Sequence, residues 1–273
     1  MKIALIGATG MVGAALTDEL LNLGHQVTGI ARNPARFKVL PGFTPAVADV
    51  MNVDALAAAI GNHDVVISAH SPGGSLGPAV YKAVVEAGWR IKRAFIQAKG
   101  SYLITVGGAS SLLSPSGTQM FEDPRWPAWY FNAASPEHLR YLHGMTKAEM
   151  FEQLARAREK IHATPGMNPH ADWPEESARL FIQKIADNHD KGEGGRAQLE
   201  FYKNDTTIRW SFASPPWFMR PGRRMGTYRI TIDTLPLEGD VPAGISVADM
   251  ALAVAHEAGG QKLVHRHWSA ARP

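Results

Sequence analysis

Lys2-Ile3-Ala4-Leu5-Ile6 runs straight into Gly7-Ala8-Thr9-Gly10-Met11-Val12-Gly13, and the rest of the chain is arranged around that junction. Five residues of apolar character bounded by glycine read as a buried strand. Residues 11–23 then place Val12, Ala15, Leu16, Leu20 and Leu23 at helical spacing,. Gly24 supplies the conformational freedom with which helices commonly end,. The opening is therefore strand, glycine turn, helix. The early Asp18-Glu19 pair and the recurring glycines are the reason to read it so, and not as a removable leader,.

The same alternation continues downstream. Val27–Ala31, Pro45–Ala48, His63–Ala69 and Tyr102–Val106 read as strands. Between them, Asn52 caps a helix from Val53, and Pro78–Ala98 forms a long helix containing Gly88,. Alternating strands and helices predict an α/β fold, a Rossmann-type doubly wound parallel sheet covered on both faces.

After Ser111 the pattern changes. Residues 114–136 combine Pro115, Pro124, Pro127 and Pro136 with Trp126, Trp129, Tyr130 and Phe131, which suits a packed loop over a cleft,. Ser135-Pro136 starts a helix that Gly144 is expected to interrupt, and Thr146 with Glu149 restarts one running to about Lys160,. Asp172 with Glu175 suggests another helix, with Phe181, Ile182, Ile185 and Ala186 as its apolar face. Asp190–Gly195 reads as a polar loop, Ile208–Phe212 and Tyr228–Ile232 as strands, Ser246–His256 as a capped helix, and 264–268 as a closing strand. The expectation is one domain over 1–273, with a small helical insertion at about 160–203 and substrate-cleft segments at about 114–136 and 214–245.

Composition narrows the class. With 273 residues, 45% hydrophobic and 19% charged, the chain can bury a core without staples,. No cysteine is present, which removes disulfides, a thiol nucleophile and cysteine-ligated metal,. That absence also fits a reducing, cytoplasmic setting. A net charge of +3 without a concentrated basic stripe implies no nucleic-acid partner,. No apolar run reaches the roughly 18–20 residues that span a bilayer, so no membrane partner is expected. His265 and His267 alternate on the closing strand, and with no acidic partner nearby in sequence they read as an exposed C-terminal edge; no metal site is expected,.

The glycine turn carries the functional argument. Its glycines allow a tight turn and a close approach of main chain to a pyrophosphate, while the following helix offers unpaired N–H groups. The spacing is G-x-x-G-x-x-G, not G-x-G-x-x-G. NAD-preferring sites place an acidic residue about 20 residues on. Here the second strand ends in Arg32-Asn33, with no carboxylate. A guanidinium fork can clamp a 2′-phosphate, so NADP(H) is expected over NAD(H).

These residues resemble the atypical branch of the short-chain dehydrogenase/reductase superfamily. The opening through Ala31-Arg32-Asn33-Pro34 is similar to NAD(P)H-binding, NmrA-like and NADH-flavin-reductase-like proteins. The likeness continues in Ala48-Asp49-Val50, in Ile67–His70 and in Thr105-Val106-Gly107-Gly108-Ala109-Ser110. It resumes in Trp210–Pro215, Pro221-Gly222 and Gly226–Arg229. The resemblance implies that Gly7 to Gly13 hold the pyrophosphate and that Asp49 and Val50 lie near the adenine. Ala69, His70 and Ser71 would run beneath the cofactor, Val106, Gly107 and Gly108 would also bind it, and Ser214 and Pro215 would approach its nicotinamide.

Active members of the superfamily carry Tyr-x-x-x-Lys and an upstream serine. This chain has no Tyr-x-x-x-Lys; His143-Gly144-Met145-Thr146-Lys147 stands in its place. The resemblance then assigns His143 as proton donor, Lys147 to the nicotinamide ribose and Ser110 to the serine position. Imidazole suits proton donation near neutral pH. Tyr141 is a second donor candidate, although its spacing to Lys147 does not match one helical turn,. The function expected is an NADPH-dependent oxidoreductase acting on a flat or carbonyl-type small-molecule acceptor (flavin-, quinone- or aryl-ketone-like), as a monomer or homodimer. The alternatives are a non-catalytic NmrA-like redox sensor with a protein partner and, third, a nucleotide-sugar epimerase.

Overall fold

A computed structural model describes all residues except 34, 36, 38–39, 73–77, 124, 126–133, 148 and 168–191. The aromatic group at 126–131 and the helix expected from Asp172 through Ala186 lie outside the described residues.

The chain opens with β1 (Lys2–Ile6), α1 (Met11–Asn22), β2 (Gln26–Ala31), β3 (Phe43–Val47), α2 (Val53–Ile60), β4 (Val65–Ser68), α3 (Pro78–Gln97) and β5 (Leu103–Val106). After the cleft segment come α4 (Pro136–Thr146) and α5 (Glu149–Ala163). The closing part holds β6 (Trp210–Ala213), β7 (Phe218–Arg220), β8 (Arg229–Ile232), β9 (Leu237–Glu238), β10 (Val241–Pro242), β11 (Gly244–Ser246), α6 (Val247–Gly260) and β12 (Arg266–Ala271). Eight strands form one sheet in the order β3-β2-β1-β4-β5-β6-β12-β8. Every pairing in it is parallel except β12 with β8, which is antiparallel and closes that edge.

The central strands are buried on both faces, so β4, β5 and β6 are apolar throughout, with no polar alternation beyond serine and threonine,. Successive side chains of one strand serve opposite faces. Ile3 and Leu5 pack with Leu16 and Leu20 of α1 and with Met250 and Val254 of α6. Ala4 and Ile6 join Leu56 and Ile60 of α2, Ile91 and Phe95 of α3, and Leu199 and Tyr202. A third cluster, with Leu112, Met120, Leu139, Leu154 and Phe218, holds α4 and α5 over the carboxyl end of the sheet. Among the described residues no helix is long and apolar enough to cross a membrane.

Three local expectations are corrected. Gly144 does not interrupt α4, because one interior glycine costs only about 1 kcal/mol; the helix ends where Lys147 turns left-handed at φ 58°. Residues 192–200 are helical, so the end of Asp190–Gly195 is not loop. Its glycine allows close packing: a Cβ on Gly195 would stand 2.8 Å from Ser110 Oγ. Finally, β12 is not an exposed edge. It lies between β6 and β8, and His267 is only 5% exposed.

Candidate cofactor and active site

Gly7 ends β1 with φ +81°, its N–H donating to Ile30 O at 3.0 Å. A Cβ there would lie 2.9 Å from Ala69 O. At Gly13 a Cβ would lie 2.1 Å from Gly7 O, so the first turn of α1 is pressed directly onto the glycine turn. Gly10 caps α1 in extended conformation without a side-chain hydrogen bond, and no acidic residue occupies the first turn. The amides of Met11, Val12 and Gly13 therefore face the carboxyl rim of the sheet, where the helix end favours anions. Ala8 is buried behind them and Thr9 is half-buried in the turn. The turn is packed too tightly for a Cβ at Gly7 or Gly13, and its bare first-turn amides fit a pyrophosphate.

The adjacent strand ends supply the next groups. Arg32 is exposed at the end of β2, and Asn33 Oδ1 closes a turn on Ala35 N at 3.0 Å. Asp49 Oδ1 accepts from Met51 N at 2.9 Å, and Val50 is buried beside it. Beyond β4, Ala69 N donates to Ile6 O at 2.9 Å, while Ser71 is exposed. Burial and the Arg32 charge hold the His70 imidazole below its ordinary pKa, against an opposing pull from Asp49. Arg32, Asp49 and His70 thus converge on one corner of the rim.

On the other side of the glycine turn, Val106 is buried and Gly107 N donates to Ala213 O at 2.9 Å. Gly108 O accepts from Ser111 Oγ at 2.8 Å. Ser214 and Pro215, directly after β6, are buried.

The three residues of the expected catalytic set have separate surroundings. Ser110 is buried against Gly195 of the 192–200 helix. His143 lies near the end of α4 with Nε2 3.9 Å from Glu149 Oε1. Lys147 is exposed beyond the helix end. No hydrogen bond or ion pair among the described residues joins these three. The α4 residue that reaches the glycine turn is Tyr141, whose Oη stands 2.6 Å from Met11 Sδ. Burial raises its pKa. His138, one turn earlier on the same face, is buried against Phe218 with ring centroids 5.1 Å apart. Burial, helped by the Arg220 charge, pushes its pKa down to about 4. Spacing to Lys147 ranks Tyr141 behind His143; the docking of α4 is what brings Tyr141 to the turn.

A groove of about 490 Å³ lined by Lys2, Gln26, Thr28, Phe43 and His63 lies at the opposite end of the sheet. Ligands of doubly wound sheets bind at the carboxyl ends of strands, so this groove is separate from the site.

Fold and turn together define a Rossmann-type α/β protein. Residues 7–110 match the model of the NAD(P)H-binding family. It is 25% identical over 260 residues to the uncharacterized protein YwnB of Bacillus subtilis (strain 168), covering 94% of this chain and 92% of that one. A crystal structure from Bacteroides thetaiotaomicron, of a protein provisionally named an epimerase, is 25% identical with a TM-score of 0.70, covering 99% of this chain and 96% of that one. Another, from Streptococcus pneumoniae TIGR4, provisionally named an NADH-flavin reductase, is 19% identical with a TM-score of 0.65 and covers 100% of both chains.

Proposed function

We propose that the protein is an NADPH-dependent oxidoreductase that delivers hydride to a planar or carbonyl-type small-molecule acceptor in the cytoplasm, as a monomer or homodimer. The observation that carries this reading is the glycine cradle at Gly7 and Gly13, where side chains are excluded by backbone contacts at 2.9 and 2.1 Å. The amides of Met11 to Gly13 would bind the diphosphate. Arg32 supports NADPH, because the end of β2 offers a guanidinium and no carboxylate to a 2′-phosphate,.

The bound nicotinamide supplies the hydride. The protein must then orient the acceptor and provide a proton. Tyr141 is the side chain of α4 best placed for that, since it meets the first residue of α1 and burial keeps its phenol protonated at neutral pH,. His143 and Lys147 take the outer end of the helix in this reading.

A second reading has its own support. Ser110 lies beneath the 192–200 helix, which suits a non-catalytic NADP(H) sensor acting through a protein partner. Titration calorimetry with both pyridine coenzymes, followed by NADPH consumption with flavins, quinones and aldehydes, separates the readings. Consumption with one acceptor class is expected. Binding without consumption of any acceptor selects the sensor, and no binding removes both.

A further inference from the structure

Behind the carboxyl rim, four side chains from separate parts of the chain form a closed polar cluster. His267 Nδ1 lies 3.2 Å from Asp233 Oδ1. His267 Nε2 lies 3.0 Å from Ser214 Oγ and 3.2 Å from Ser111 Oγ. The two serine oxygens are 2.7 Å apart. Ser111, Ser214 and His267 are 2%, 0% and 5% exposed, so this is an interior network and no nucleophile open to substrate. Only Asp233 reaches solvent, from a left-handed residue at φ 58° whose own N–H donates to His267 O at 3.0 Å.

Proton accounting assigns the roles. A carboxylate only accepts, so Nδ1 carries the hydrogen and donates to Asp233. Nε2 is then an acceptor for Ser214. Ser111, in the loop that continues from β5, shares its one proton between Ser214 Oγ at 2.7 Å and Gly108 O at 2.8 Å,. Burial favours this neutral imidazole and outweighs the Asp233 charge, and the Lys203 charge acts in the same direction as burial. The result is a chain of bonds that joins the loop after β5 to the loop after β6 through one imidazole.

Those loops matter because of where the sheet order puts them. Arg32 and Asp49 follow β2 and β3, and the glycine turn follows β1. An extended dinucleotide crossing the rim from that corner reaches β5 and β6 with its nicotinamide half,. We propose that His267 is a positioning residue: anchored on Asp233, it holds Ser111 and Ser214 so that the β5 and β6 loops keep the spacing that the nicotinamide half requires. This inference rests on the cofactor reading above.

Its test uses two ligands and two substitutions. NADPH probes the whole site, and 2′,5′-ADP probes only the adenosine half. His267→Asn can keep the donor toward Asp233 but loses the acceptor toward the serines. His267→Gln extends a carbonyl oxygen toward Ser214. Loss of one buried hydrogen bond corresponds to about tenfold in affinity. His267→Asn is therefore expected to weaken NADPH about tenfold while 2′,5′-ADP changes less than about twofold, and His267→Gln to recover most of the loss. Equal weakening of both ligands, identical behaviour of the two variants, or failure of both to fold would overturn the inference by showing a merely structural role. Wild-type protein that binds neither ligand would instead overturn the cofactor reading itself.

Discussion

Arg32 and Tyr141 are the side chains on which the proposed chemistry turns. A lost charge-assisted contact to a phosphate corresponds to about 10- to 100-fold in affinity. Arg32→Ala is thus expected to weaken NADPH by that factor and leave NADH within about twofold; direct titration of both checks it, and equal losses would remove the 2′-phosphate contact. Removing a general acid costs about 100-fold or more. Tyr141→Phe should lower kcat by that amount with NADPH affinity kept, whereas His143→Phe should leave kcat within about twofold. The reverse pattern in steady-state kinetics would restore the histidine as donor. Arg32 is legible in the sequence because strand, turn and charge are adjacent in the chain. Tyr141 is legible only as a second candidate, because its partner Met11 is 130 residues away.

The glycine turn and α1 behave as one element. With a Cβ at Gly13 placed 2.1 Å from a main-chain carbonyl, Gly13→Ala must push α1 away from the turn. Overpacking of this kind typically costs about 1–3 kcal/mol. A lower Tm together with lost NADPH binding is expected, measured by calorimetry; unchanged binding would show that the first-turn amides do not grip the diphosphate. The strand–turn–helix order is readable because glycine spacing and apolar periodicity are local properties. So are the caps of α2, α4 and α6, where Asn52, Ser135 and Ser246 accept main-chain N–H bonds as expected. The helix at 192–200 is less legible, since Gly194 and Gly195 serve packing against Val84 and Ser110 and not a turn.

Across the molecule, two buried histidines contribute to the loss of stability toward acid pH. Burial holds His138 and His267 near pKa 4, below the ordinary 6.5. The unfolded chain takes up these protons first as pH falls, so the stability is fully present above about 6.5 and is lost progressively toward 4. Urea-unfolding midpoints should fall across that window, and His138→Phe should flatten the fall. A wild-type midpoint constant from pH 7 to 4.5 would contradict the buried, neutral state of both rings.

The parallel sheet, the glycine cradle and the end of β2 were written in short-range patterns: apolar runs, residue spacing and a missing carboxylate. Local chain geometry is enough to express those. The position of β12 inside the sheet, the burial of His267 between distant serines and Asp233, and the choice of Tyr141 as the α4 residue at the turn came only from three-dimensional packing. Each depends on contacts between residues far apart in the chain, and hydrophobic burial, which is non-directional, leaves no spacing in the sequence that announces which of them will meet.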